Sequence, residues 1–133
     1  MKRPDPRFLE GLELFNKGEY YECHEVIEEL WLETPPNDLH RDLYKGVIQA
    51  AAAIYQYQRG IWSGAIGLCR TSVEYLEKYG AEALGLDVQG LAGEMRLYFA
   101  GLLEWKGAAD TVPPPPKRVP RVVYEPQTPS QKP

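Results

Sequence analysis

Leu39-His40-Arg41-Asp42-Leu43-Tyr44-Lys45-Gly46-Val47-Ile48-Gln49-Ala50-Ala51-Ala52-Ala53-Ile54-Tyr55-Gln56-Tyr57-Gln58-Arg59 is the stretch on which the fold turns. Leu43, Val47, Ala50, Ala51 and Ile54 recur at helical spacing, and Tyr44, Ile48 and Tyr55 carry the apolar surface around much of the remaining circumference. A helix with so little polar surface belongs at the centre of a bundle. Its polar exceptions, Lys45, Gln49 and Gln56 with Arg41 and Arg59 nearby, share one side when residues are laid out at about 100° each. Gly60 closes the helix.

Helical patterns continue on either side. Upstream, Asp5 before Pro6 reads as an N-cap with proline at the first helical position, Phe8, Leu12 and Phe15 follow at helical spacing, and Gly18 stops the run. A second helix covers roughly Glu19 to Glu33, with Tyr20, Cys23, Ile27, Leu30 and Trp31 on one face, and Pro35-Pro36 ends it. Downstream, a fourth helix runs roughly from Trp62 to Tyr79, and a fifth roughly from Val88 to Trp105 after Asp87. No segment alternates with period two for long enough to suggest a sheet. The expectation is an all-α compact bundle of about five helices in antiparallel hairpins, forming a single helical domain over residues 1–110.

Residues 111–133 are of a different kind, because eight of the twelve prolines lie between Pro113 and Pro133 and the helical period vanishes. Pro113 to Pro116 favour polyproline II, and Lys117, Arg118 and Arg121 make this tail basic. Val119, Val122, Val123 and Tyr124 form a short apolar patch that is expected to dock, either on the chain's own body or on a neighbouring subunit.

The chain has 133 residues, enough for one domain with a core. Its 44% hydrophobic and 26% charged residues are ordinary globular composition. The formal net charge of −4 gives no field that would gather nucleic acid or anionic lipid, so neither is an expected partner. No apolar run approaches the about 18 residues needed to span a bilayer and no signal peptide precedes the first helix, so a cytoplasmic location is expected. Cys23 and Cys69 sit among apolar helical neighbours and read as buried, reduced core residues.

Chemistry concentrates in the second helix, where six glutamates and no Lys or Arg lie between Glu19 and Glu33. His24-Glu25-Val26-Ile27-Glu28 reads H-E-x-x-E. His24 and Glu28, at i and i+4, can converge on one point, with Glu25 beside them. The zinc protease pattern H-E-x-x-H uses that spacing, with its glutamate as base. Here Glu28 replaces the second histidine, leaving His24 and Glu28 as candidate ligands for a divalent metal and Glu25 as a candidate catalytic base. Three other readings stand beside this one. His24 is a neutral core-edge histidine, the glutamates solvate a surface, or they pair with Arg41, Lys45 and Arg59. No phosphate-binding glycine loop, nucleophile elbow or Ser-His-Asp set is present.

Phe15-Asn16-Lys17-Gly18-Glu19-Tyr20-Tyr21-Glu22-Cys23-His24-Glu25-Val26-Ile27-Glu28-Glu29-Leu30-Trp31, then Arg41, Tyr44-Lys45-Gly46-Val47-Ile48-Gln49-Ala50-Ala51-Ala52 and Arg59-Gly60 with Gly64-Ala65, resembles the domain of unknown function 309 family over about residues 8 to 79. The resemblance implies a small all-α fold found mainly in prokaryotes and no established activity. It marks His24, Glu25, Glu28, Trp31, Arg41 and Gln49 as signature residues. Together with Lys45 they outline a polar groove between the second and third helices. The leading expectation is a binding or interaction module, a homo-oligomer whose groove recognises a small molecule or peptide. The alternative is a metal-dependent, hydrolase-like enzyme built on His24, Glu28 and Glu25.

Overall fold

In a computed structural model, described over residues 3–105, 107, 111–116 and 118–125, the chain forms five α-helices. These are α1 (Pro6–Asn16), α2 (Tyr20–Glu33), α3 (Arg41–Gln58), α4 (Trp62–Leu76) and α5 (Val88–Glu104). The all-α reading holds. α1 starts as its sequence dictates, for the Asp5 carboxylate accepts from the Arg7 backbone N–H at 2.9 Å and Pro6 occupies the first helical position. Asp87 caps α5 in the same way, accepting from Gly90 at 2.9 Å.

Two details depart from the sequence reading. The fourth helix ends at Leu76, and Glu77–Tyr79 tighten into a 3-10 turn. A small antiparallel hairpin then pairs β1 (Glu82–Ala83) with β2 (Leu86–Asp87). Two residues per strand are too few to display alternation. The turn is closed by Leu84 and Gly85, with φ of 50° and 81°, the left-handed pair that matches the twist of tight hairpins.

Each helix packs chiefly on the next in sequence, which leaves α3 between α2 and α4. Leu43, Val47, Ala50, Ala51, Ala53 and Ile54 of α3 are fully buried, beside Phe8, Leu12 and Phe15 of α1 and Leu76 at the end of α4. The approach of α3 to α4 is close at Gly46: a Cβ there would lie 2.9 Å from Leu76 Cδ2 and 3.3 Å from Tyr75 Cβ. Ser72, fully buried, donates its hydroxyl to the Gly46 carbonyl at 2.7 Å, so the buried polar side chain of this interface is satisfied. Cys23 and Cys69 are buried and free, as expected, and burial pushes their thiols up to about 12 and about 11. His40 is half-buried, with its ring stacked on Tyr79 at 6.4 Å.

The described part of the tail, residues 111–116 and 118–125, lies against the chain's own body. Asn16 donates its amide to the Val122 carbonyl at 2.9 Å and accepts the Val122 N–H at 2.8 Å. Asp87 donates its backbone N–H to the Val123 carbonyl and Glu125 donates to Gly85, which bridges Tyr124 to Leu86 across the hairpin. Arg118 pairs with Glu94 of α5. Of the expected apolar patch, Val122 is buried and Tyr124 half-buried, whereas Val119 and Val123 face solvent. Lys117 lies outside the described residues. Among those residues no helix is long and apolar enough to cross a membrane.

Candidate functional site

The faces of α2 and α3 meet along a line that runs from Trp31 to Tyr20 on one helix and from Arg41 to Arg59 on the other. At the first end the guanidinium of Arg41 lies 4.2 Å from the Trp31 ring centroid and the ammonium of Lys45 lies 4.1 Å from it. One turn separates the two cations on α3, so both reach the same indole. Arg41 also donates Nε to the Thr34 carbonyl at 3.2 Å, which ties the end of α2 to the start of α3. Trp31 Nε1 is buried with no hydrogen-bond partner.

In the middle, the H-E-x-x-E residues come together as the helical period requires. His24 Nε2 lies 3.7 Å from Glu28 Oε1, and His24 Nδ1 lies 3.9 Å from Glu25 Oε2. One ligand atom from each of the three residues fits within 4.8 Å of the others. Glu25 is more than half exposed and His24 is 28% exposed, so the cluster opens to solvent on one side. A metal with donor bonds near 2.1 Å needs donors about 3.4 Å apart, and small rotamer changes would reach that. This is a donor set of suitable chemistry and nearly suitable spacing.

Beyond His24 lies a cavity of about 230 Å³ lined by Tyr20, Tyr21, His24, Ala52, Tyr55, Gln56 and Arg59. The Tyr21 and Tyr55 rings touch with centroids 5.6 Å apart, and Arg59 lies 5.5 Å over Tyr55. Gln56 Oε1 and the Tyr20 hydroxyl are buried and have no hydrogen-bond partner. Both atoms are closed to solvent and lie behind the cavity surface, and an unmet buried polar group costs about 1–3 kcal/mol. Charge on Glu25 raises the Tyr21 hydroxyl above its ordinary value, and burial raises that of Tyr20.

Of the seven residues expected in the groove, His24, Glu25 and Glu28 form one cluster, and Trp31, Arg41 and Lys45 form another. Gln49 joins neither. Its side chain accepts the hydroxyl of Thr71 on α4, because it lies roughly 80° around α3 from Arg41 and so turns toward the other neighbour. Nor do the glutamates pair with the basic stripe. Among the described residues no ion pair joins α2 to Arg41, Lys45 or Arg59, since the first two lie over an indole instead. Glu29 and Glu33 turn to Arg7 of α1, at 3.7 and 3.0 Å. The cavity's aromatic wall was missed as a site because Tyr20 and Tyr55 read as apolar-face positions. The one sequence signal for it was the basic stripe ending in Gln56 and Arg59.

The profile of a family described as a domain of unknown function, DUF309, matches residues 8–68. A protein of Bacillus subtilis (strain 168) named uncharacterized protein YpuF is 42% identical over 71 residues, covering 52% of this chain. The matched stretch spans 40% of that relative's length. Both the His24 cluster and the cavity fall inside the family match.

Proposed function

We propose, from the premise that residues 8–68 belong to the DUF309 family, that this chain is a binding module whose cleft between α2 and α3 takes up a small molecule. The observation that carries the reading is the cavity of about 230 Å³ beside His24, walled by Tyr20, Tyr21 and Tyr55 and flanked by Gln56 and Arg59. The cavity is also concave, aromatic-walled and furnished with a few polar groups, which is the usual make-up of a small-molecule site. We assign the module to the cytoplasm as a homo-oligomer. Free buried thiols suit a reducing compartment, and Leu32 and Leu39, both 70% exposed or more, offer apolar surface for self-association.

Titrating the isotope-labelled protein with mixtures of small polar compounds tests the cleft. Saturable amide shifts at Tyr21, Ala52, Tyr55, Gln56 and Arg59 are expected, and they should vanish in Ala52→Trp, which fills the cavity. Shifts that survive Ala52→Trp would place binding elsewhere and end this reading.

A second reading is favoured by the convergence of His24, Glu25 and Glu28. In it His24 and Glu28 would hold a divalent metal, which would supply Lewis-acid polarisation of a scissile bond, and Glu25 would serve as the base for water. Metal analysis of protein purified without an affinity tag separates the two. Stoichiometric metal that disappears in His24→Ala favours the enzyme; its absence from both leaves the binding module.

A further inference from the structure

We propose that Tyr57, Trp62, Gly101 and Trp105 form a recognition groove for a proline-rich segment of another protein, of the form P-x-x-P-x-R, and that the chain's own tail fills this groove in cis. The groove shares no residue with the cleft between α2 and α3, so the two readings stand or fall separately.

The tail reads Pro113-Pro114-Pro115-Pro116-Lys117-Arg118. Consecutive prolines favour polyproline II, which has three residues per turn and no internal hydrogen bonds, so positions i and i+3 share a face and each carbonyl needs an outside donor. Burial follows that period: Pro113 is buried and Pro116 half-buried, while Pro114 and Pro115 are exposed. The groove supplies the donors. Tyr57, at the end of α3, donates its hydroxyl to the Pro114 carbonyl at 3.2 Å, and Trp105, just past α5, donates Nε1 to Thr111 Oγ1 at 2.9 Å. Trp62, at the start of α4, joins these rings into one aromatic surface, with its centroid 5.3 Å from Tyr57 and 6.1 Å from Trp105. Gly101 leaves room for the chain, since a Cβ there would lie 3.2 Å from Pro114 Cγ. Aromatic-lined grooves are a recurrent way of binding preformed polyproline segments.

The arginine is read separately, by a carboxylate. Arg118 pairs with Glu94 of α5, which also accepts the Arg121 backbone N–H at 3.2 Å. Gly101 and Glu94 are seven positions apart on α5, about 10 Å along the helix. Pro114 and Arg118 are four positions apart, about 12 Å in polyproline II. The spacings match for a ligand running antiparallel to α5, so the prolines and the arginine are selected together.

The tail is held unevenly. Downstream, Val122 is buried and bonded twice to Asn16, and Val123 and Glu125 bond the hairpin. Upstream, Pro114, Pro115 and Arg118 are exposed, and an exposed ion pair adds little. The proline run can therefore leave the groove while the anchor holds, and a rival with the same motif meets the same contacts. A second copy is the poorer rival, because its own anchor keeps its proline run beside its own groove at high effective concentration. A segment of another protein carries no such tether.

The test uses the full chain, isotope-labelled, carrying Pro113→Ser and Pro116→Ser, which weaken the cis ligand and keep the anchor. A synthetic peptide with the sequence of residues 111–119 should shift the Trp62 and Trp105 indole N–H signals and the Gly101 amide saturably, and should bind wild type about tenfold more weakly because the tail competes. Adding Gly101→Leu should abolish binding. Adding Glu94→Gln should remove the preference for this peptide over its Arg118→Ala version. No saturable shift in the double variant, whose helical circular dichroism shows that it folds, overturns the proposal. So does equal binding of a peptide of the same composition in shuffled order, or equal binding to wild type and double variant. Solution mass should be the same for both proteins; a smaller mass for the double variant would give the groove to a second copy's tail and overturn its assignment to another protein.

Discussion

Helix α3 meets α4 on one face and α2 on another, and the two contacts are built differently. Toward α4 it offers Gly46, which brings the backbones close, and the buried polar side chain of Ser72 is bonded at 2.7 Å. Toward α2 it offers Arg41, Lys45, Gln56 and Arg59 against Trp31, His24 and two tyrosines, and it leaves a cavity and unpartnered polar atoms. Close packing with satisfied polar groups is what stability alone demands. Space and unmet hydrogen bonds lower stability, and such departures from consistent packing gather where a chain has something to bind. The contrast separates scaffold from site within one helix.

The strongest way to break the contrast is to add bulk on both faces. Gly46→Val drives two methyls into Leu76 and Tyr75 and should cost about 3 kcal/mol, roughly 10 °C in melting temperature. Ala52→Val lies in the cavity wall and should change stability by less than about 0.5 kcal/mol. Equal losses in thermal melts would show that both faces are scaffold.

A third contact, between the tail and the body, should behave like the α4 face because its polar groups are paired. Asn16→Ala removes both bonds to Val122 and should cost about 2 kcal/mol, with faster proteolysis beyond residue 111 as the sharper readout. Deleting residues 113–133 should lower the melting temperature at least as far. An unchanged melting point on deletion would mean that the tail rests on the body without holding it.

The far side of α2 supplies a test by pH. Arg7 bonds Asp5 and Glu33, and it holds both carboxyls below their usual values in the folded state. Carboxyls so depressed stabilise the fold above the unfolded carboxyl value of about 4, and that contribution is lost as pH falls through the folded values. Melting temperature should therefore fall on acidification below about pH 4, less steeply in Arg7→Met. Asp5→Ala, which also removes the α1 cap, should cost about 1 kcal/mol at neutral pH. An identical acid slope in Arg7→Met would assign the loss to other carboxyls.

The smallest effect belongs to the open face itself. Lys45→Met keeps the stem over Trp31 and removes the charge, a change worth about 0.5 kcal/mol at a half-exposed indole. A loss above about 2 kcal/mol would recast the Trp31 cluster as part of the scaffold.

The helices were legible in the chain because their signals are local. Asp5-Pro6, Gly18, Pro35-Pro36 and Gly60 mark ends, and the apolar period marks faces, so the bundle and the central place of α3 follow from residues near one another. The meeting of His24, Glu25 and Glu28 was legible for the same reason, since one helical turn dictates it. The partner each stripe residue chooses depends instead on the angle at which neighbouring helices arrive. That angle sent Gln49 to Thr71, placed Arg41 and Lys45 over Trp31 rather than against glutamates, and turned Glu29 and Glu33 to Arg7. The cavity walled by Tyr21, Tyr55, Gln56 and Arg59 has the same origin. A void is a property of how surfaces fail to fill space, and sequence spacing carries no measure of it.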